Sequence, residues 1–191
     1  MSIRRVPSGV SLRACVSCVR GFFRFLCQAV SLSSSISIQK RLRYAQGYIG
    51  LGLLKEAAEE LAAIEGDARQ SMEVVRVYID LAMEAKQWAR VVELAGPVAE
   101  ASPDEEQVWI SWAYALRELQ RIKEAEAVLL RAEKDHGHKS AILNYNLACY
   151  ACLQGYMELA NKRLKRAIRL DKRFEDGWDK DPDLKALMDV F

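Results

Sequence analysis

A unit of 34 residues recurs four times along this chain, and no other feature narrows its fold as far. The segments LKEAAEEL and IKEAEAVL place Ala57 and Ala125 twice 34 residues apart. Val91 of QWARVVEL lies midway, and Ala160 of YMELANKRL follows Ala125 after 35 residues. Twelve residues before these anchors stand Ala45, Ile79, Ala113 and Ala148, each preceded by Tyr44, Tyr78, Trp112 or Leu147. Four residues after them come Leu61, Ala95, Leu129 and Leu164, and three further on Ile64, Val98, Ala132 and Ala167. Spacings of 3, 4 and 7 inside each half-unit predict amphipathic helices. Breaks at Gly50-Leu51-Gly52, Ala85-Lys86-Gln87 and Gln154-Gly155 split each unit into two antiparallel helices, A and B.

A single helix pair cannot bury its apolar face, so the pairs must stack and the last one needs a cover. The tail DKDPDLKALMDVF predicts that cover: Asp181 suits an N-cap and Pro182 a first helical position. Leu184, Leu187, Met188 and Phe191 would then share one face of a short helix. Pro97 falls inside helix B of the second unit, where it removes a donor and crowds the Glu93 carbonyl. A kink or an early stop is expected there.

The pattern resembles the tetratricopeptide repeat (TPR) family over residues 38–174, through the period, the small residues where A and B cross, and Trp109, Leu116, Ala125 and Ala132 of the third unit. No unit has glycine at the small helix A position, and only the second ends on the family's proline, Pro103. The resemblance implies an all-α fold, an α-solenoid of four antiparallel helix pairs at 38–71, 72–105, 106–140 and 141–174, followed by a cap at 175–191. It implies a non-enzymatic adaptor that binds another protein, or a peptide segment of one, in a concave groove lined by helices A. The groove positions so implied are Gln39, Leu42, Gln46 and Ile49 in unit one, then Glu73, Arg76, Asp80, Met83 and Glu84 in unit two. Unit three supplies Gln107, Ile110, Tyr114, Arg117 and Glu118, and unit four Ile142, Tyr145, Cys149, Cys152 and Leu153. The lysine–asparagine clamp of some members is replaced by Leu42 and Gln46, so the expected ligand is a segment with apolar anchors rather than a free C-terminal carboxylate. Tyr114, Arg117 and Tyr145 are the expected leading contacts, because aromatic and arginine side chains dominate such surfaces.

Two Cys-x-x-Cys pairs, Cys15/Cys18 and Cys149/Cys152, raise the alternative of a metal- or thiol-dependent protein. The register places Cys149 and Cys152 in the middle of a helix, away from an N-terminus that would lower a thiol pKa. Zinc needs four ligands. The two histidines, His136 and His138, lie in the turn before that helix, separated from Cys149 by a rise of roughly 14 Å. No cofactor is expected. GYIGLG follows no strand and so is no nucleotide fingerprint. The basic run 161–173 offers a second alternative, nucleic-acid binding, but reads better as a solvated helix face, and no nucleic acid is expected.

Net charge is +2, unevenly spread: residues 1–55 carry nine Lys/Arg and no acid, whereas 56–191 sum to −7. The first 37 residues break the period. Within 13–30, Arg13, Ser17, Arg20, Arg24 and Gln28 form one polar stripe opposite Val16, Val19, Phe23, Leu26 and Val30. Such a segment fits a transit peptide, a basic amphipathic helix on a membrane or partner, or translated sequence upstream of the native start. The third reading is preferred because nothing there continues the repeat. Five cysteines without a secretory signal point to a reduced, cytoplasmic setting, or an organellar or membrane-peripheral one if the arm is a real targeting helix.

Overall fold

The structure, a computed structural model, describes residues 36–188. The readings for 13–30 and for Phe191 lie outside these residues. From Ile38 onward the chain forms one compact unit. Eight α-helices follow one another: α1 Ile38–Gly50, α2 Leu54–Ala62, α3 Met72–Glu84, α4 Trp88–Ala101, α5 Glu106–Glu118, α6 Ile122–His136, α7 Ala141–Leu153 and α8 Met157–Leu170. A 3-10 turn at Gly66–Gln70 links the first two pairs, and three more, at Lys172–Phe174, Trp178–Lys180 and Lys185–Leu187, close the described chain. No strand occurs among the described residues. Each helix packs on the next, and helices A also pack on one another, α1 on α3 and α3 on α5. This is an all-α solenoid of four antiparallel pairs.

The turn between A and B is the same backbone motif four times. The N–H groups of Leu53, Gln87, Arg121 and Tyr156 donate to the carbonyls of Tyr48, Ala82, Leu116 and Ala151 at 2.8–2.9 Å. One residue earlier, Gly52, Lys86, Gln120 and Gly155 donate to Ile49, Met83, Arg117 and Cys152 at 2.8–3.0 Å. This is the Schellman arrangement, which satisfies the orphan carbonyls of helix A and requires a left-handed residue. That residue has φ of 73° at Gly52, 54° at Lys86, 62° at Gln120 and 84° at Gly155. Repeats two and three make the turn without glycine, against the local steric preference.

The small-residue anchors of the register are buried, whereas the aromatic before the first anchor is exposed at Tyr44 and half-buried at Tyr78 and Trp112. Ala45, Ala113 and Ala148 of helices A, and Ala57, Val91, Ala125 and Ala160 of helices B, have no exposed surface, and Ile79 keeps 2%. Helix α4 runs through Pro97 to Ala101, so the expected early stop does not occur. Pro97 and Glu93 both face solvent, where water can take the freed carbonyl. The neighbouring Gly96 lets the Trp112 ring approach: a Cβ added there would lie 3.4 Å from it. His136 is buried and its Nε2 lies 2.8 Å from the Pro103 carbonyl, which also accepts from Trp109 Nε1 at 3.1 Å. That histidine is thus a bridge between repeats.

The cover differs from the sequence expectation. Residues 181–188 make turns and one 3-10 segment rather than an α-helix. Asp181 caps locally, its Oδ1 accepting from the Asp183 N–H at 2.9 Å. Leu184 and Leu187 are fully buried in the main core, but Met188 is exposed at 51%. With Asp181 and Asp183 fixed by side-chain contacts, the segment spends its leucines on the core without completing a helical turn.

Two tests follow from this packing. Ala148→Leu and Ala160→Leu should each cost about 1–3 kcal/mol in denaturant unfolding, because the A–B crossing has no room for a longer side chain. Unchanged stability in both would contradict the register. Glu133 meets Arg163, and this partner holds its carboxyl below the ordinary value of 4.5. A depressed carboxylate pKa stabilises above the unfolded value and that contribution is lost as pH falls through the folded value. Glu133→Gln should therefore lower Tm at neutral pH, and its Tm curve should converge on the wild-type curve as the pH falls through the lowered folded value of this carboxyl. Parallel curves would show that the pair contributes nothing.

Candidate functional site

Helices A leave one face to solvent, and the sequence-predicted groove residues separate there into three groups. Leu42 and Ile110 do not face it at all: they are 3% and 6% exposed and belong to the core. Leu42 packs with Ala45, Leu61, Ile64, Val74 and Val77. Both positions lie between stacked elements, where a large aliphatic side chain gains more from burial than from facing water.

The second group forms an open end across repeats one to three. Gln46, Ile49, Asp80, Met83, Glu84, Gln107 and Ser111 line a cavity of about 350 Å³. An adjoining cavity of about 140 Å³ shares Asp80, Gln107 and Ser111 and adds Arg76, Ile79, Glu105 and Val108. Arg76 is engaged by Glu105, and Gln39 Nε2 donates to Glu73 at 2.9 Å. Asp80 and Glu84 have no cationic partner among the described residues, and stand one helical turn apart. Burial, and then the Glu84 charge, push the Asp80 carboxyl above its ordinary value. This end is therefore acidic, with Ile49 and Met83 as its apolar floor. Sequence reasoning missed Ser111, whose place one turn from Gln107 on α5 was the signal.

The third group, Tyr114, Arg117, Tyr145 and Cys149, lies at the other end and is already occupied. These residues line a cavity of about 500 Å³ together with Gly177, Lys180, Asp181, Pro182 and Asp183 of the chain's own tail. Arg117 Nε donates to Asp183 Oδ2 at 2.7 Å and its Nη2 donates to Oδ1, a two-pronged ion pair. Arg117 Nη1 also donates to Glu118 at 2.6 Å, and these acids raise the guanidinium pKa further. The Tyr145 hydroxyl donates to Asp181 Oδ2 at 2.8 Å, while its ring lies 4.8 Å from that of Phe174. Tyr114 remains 40% exposed, edge-on to Trp88 at 5.7 Å.

Cys149 and Cys152 do not form groove surface as expected: each is 4% exposed, beneath the tail. Burial, and then Asp181 and Asp183, raise the Cys149 thiol pKa. Burial raises that of Cys152, against the N–H groups of Leu187 and Ala186 that point at its sulfur. Neither is suited to nucleophilic or redox work. Cys149, Asp181 and Asp183 bring one ligand atom each within 4.8 Å of one another. All four carboxylate oxygens there already accept a hydrogen bond, from Arg117, Tyr145 and the Asp183 N–H, so the cluster is satisfied by protein donors.

The fold of the described chain is that of the tetratricopeptide-repeat proteins. No protein-family profile matches the chain, and no curated protein matches it. Solved structures do. MamA MSR-1 superposes with a TM-score of 0.63 at 22% identity, over 81% of this chain and 90% of that one. MamA AMB-1 gives 0.61 at 24% identity, over 71% and 79%. YrrB, described as a TPR protein with an unusual peptide-binding site, gives 0.61 at 15% identity, over 91% and 85%. Among the described residues no helix is long and apolar enough to cross a membrane.

With Cys15, Cys18 and Cys27 replaced by serine, the two remaining thiols should react with a disulfide reagent at least about tenfold more slowly in the native protein than in denaturant. Equal rates would show that the tail does not cover them.

Proposed function

We propose that this protein is a non-enzymatic adaptor whose body, residues 38–188, binds a segment of another protein on the face formed by helices A, with residues 1–37 a separable basic arm. The carrying observation is the open end of that face. It combines two carboxylates that have no cationic partner among the described residues, Asp80 and Glu84, with apolar surface from Ile49 and Met83 and hydrogen-bonding groups from Gln46, Gln107 and Ser111. A segment that carries a lysine or arginine beside an aliphatic anchor complements it in charge and in shape. The peptide-binding site in the description of YrrB supports the same use of the fold. The expected leading contacts move accordingly, from Tyr114, Arg117 and Tyr145, which face the tail-filled end, to Asp80, Met83 and Glu84.

An array of peptides with varied basic and aliphatic positions tests this reading. The strongest binders should pair a basic with an aliphatic residue and weaken with salt. Asp80→Asn with Glu84→Gln, and separately Met83→Ala, should each lower their affinity about tenfold or more with folding unchanged. A drop under about threefold for both variants would remove the open end from consideration.

A further inference from the structure

The filled end of the groove carries information that the open end does not, because it shows what this surface holds. The tail meets it through four side chains at fixed spacing: Asp181, Asp183, Leu184 and Leu187. Pro182, Lys185, Ala186 and Met188, between and after them, are exposed. The two acids address the one arginine and the tyrosine hydroxyl of that end, and the two leucines enter the core. Arg117 and Asp183 are 22% and 12% exposed, so their paired hydrogen bonds are partly shielded from water.

The segment also behaves as a tethered element rather than as a ninth helix. Ten consecutive residues, 171–180, join α8 to it, and none of them is buried. Gly177, at φ 93°, takes a left-handed turn that other residues resist and redirects the chain toward helices A. Its backbone bonds are short turn contacts, from Asp181 to Trp178, Leu184 to Asp181, Leu187 to Leu184 and Met188 to Lys185. Side chains, not secondary structure, hold it in place.

We propose that residues 181–187 are an intramolecular ligand of this groove, and that external segments of the same chemistry displace it: two acidic residues two apart, then leucines at i and i+3. This rests on the reading of the helix A face as a binding surface and names the ligand for its second end. The two ends then accept opposite charge, basic at Asp80 and Glu84, acidic at Arg117. A short tether gives the tail an effective concentration of order millimolar. With an intrinsic Kd of about 10 µM for the tail itself, the affinity of an external segment would be weakened roughly a hundredfold. The tail thus sets a threshold for partners.

The test uses the full chain and a fluorescent peptide of residues 178–191, followed by anisotropy. Wild type should bind it weakly. Asp181→Asn with Asp183→Asn, which loosens the tail but leaves the groove intact, should bind it about tenfold tighter or more. Adding Arg117→Met should abolish the gain, and a peptide with both acids changed to asparagine should not bind. Hydrogen exchange at Ala186 and Leu187 should quicken in the loosened variant while α7 keeps its protection. If that variant does not fold, a twelve-residue Gly/Ser insertion after Glu175 lowers the effective concentration without touching a contact, and should raise peptide affinity in the same way. Absence of peptide binding in a folded variant with a released tail would overturn the proposal, as would tail amides that exchange only with global unfolding. A wild-type dimer that dissociates on Arg117→Met would seat a second copy's tail there and also overturn it. Peptide arrays that still require Asp80 would then leave the open-end reading intact, and the converse result would spare this one.

Discussion

Close approach of helices A and B is the contact on which the rest of the molecule depends. At each crossing one side offers alanine, or isoleucine in the second repeat, and the other offers alanine or valine, with essentially no surface left exposed. Short side chains bring helix axes toward the lower end of the usual 8–10 Å separation. Dispersion contacts then replace the void that longer side chains would fill imperfectly. Because the crossing is the same in each repeat and the four Schellman turns have the same left-handed residue, successive pairs present the same faces to one another. Helices A therefore align on one side, and a groove results from repetition alone.

Repetition also explains why the groove is chemically uneven. The buried positions are constrained to be small or aliphatic, while helix A positions that face outward are free to vary. Repeat two places Asp80 and Glu84 without an ion-pair partner among the described residues, and repeats three and four place Arg117, Tyr114 and Tyr145. Arg117 donates from one nitrogen to the adjacent Glu118, and its remaining two are met by Asp183, a carboxylate of the tail. Its leucines solve a second problem at the same time, because the last repeat has no following pair to cover it. One segment thus satisfies a charge and seals a core.

The same arrangement disposes of the chemistry suggested by Cys149 and Cys152. Both sulfurs lie under the tail, with their thiols made less acidic by burial and by Asp181 and Asp183. A thiol that resists ionisation is a poor nucleophile and a poor metal ligand. The carboxylates that could have joined it are instead committed to Arg117 and Tyr145. Spacing alone invites a redox or metal motif, and the surroundings convert it into packing.

What the sequence by itself determined is the periodic part. The 34-residue register named sixteen anchor positions that are all buried, three of the turns between A and B, and the leucines that seal the end, because helical periodicity is a local property that each segment expresses through its own spacing. The tertiary structure decided what depends on neighbours far along the chain. Leu42 and Ile110 occupy periodic groove positions yet enter the core, since the packing of adjacent helices sets which side of a position is covered. The tail was legible as a cover but not as a run of turns whose acids reach helices A and whose 3-10 segment packs on α8. Its course is set by Arg117 and Asp183, 66 residues apart, and by Tyr145 and Asp181, 36 apart. Nothing in local spacing selects those partners; charge and geometry do so only once the repeats have stacked.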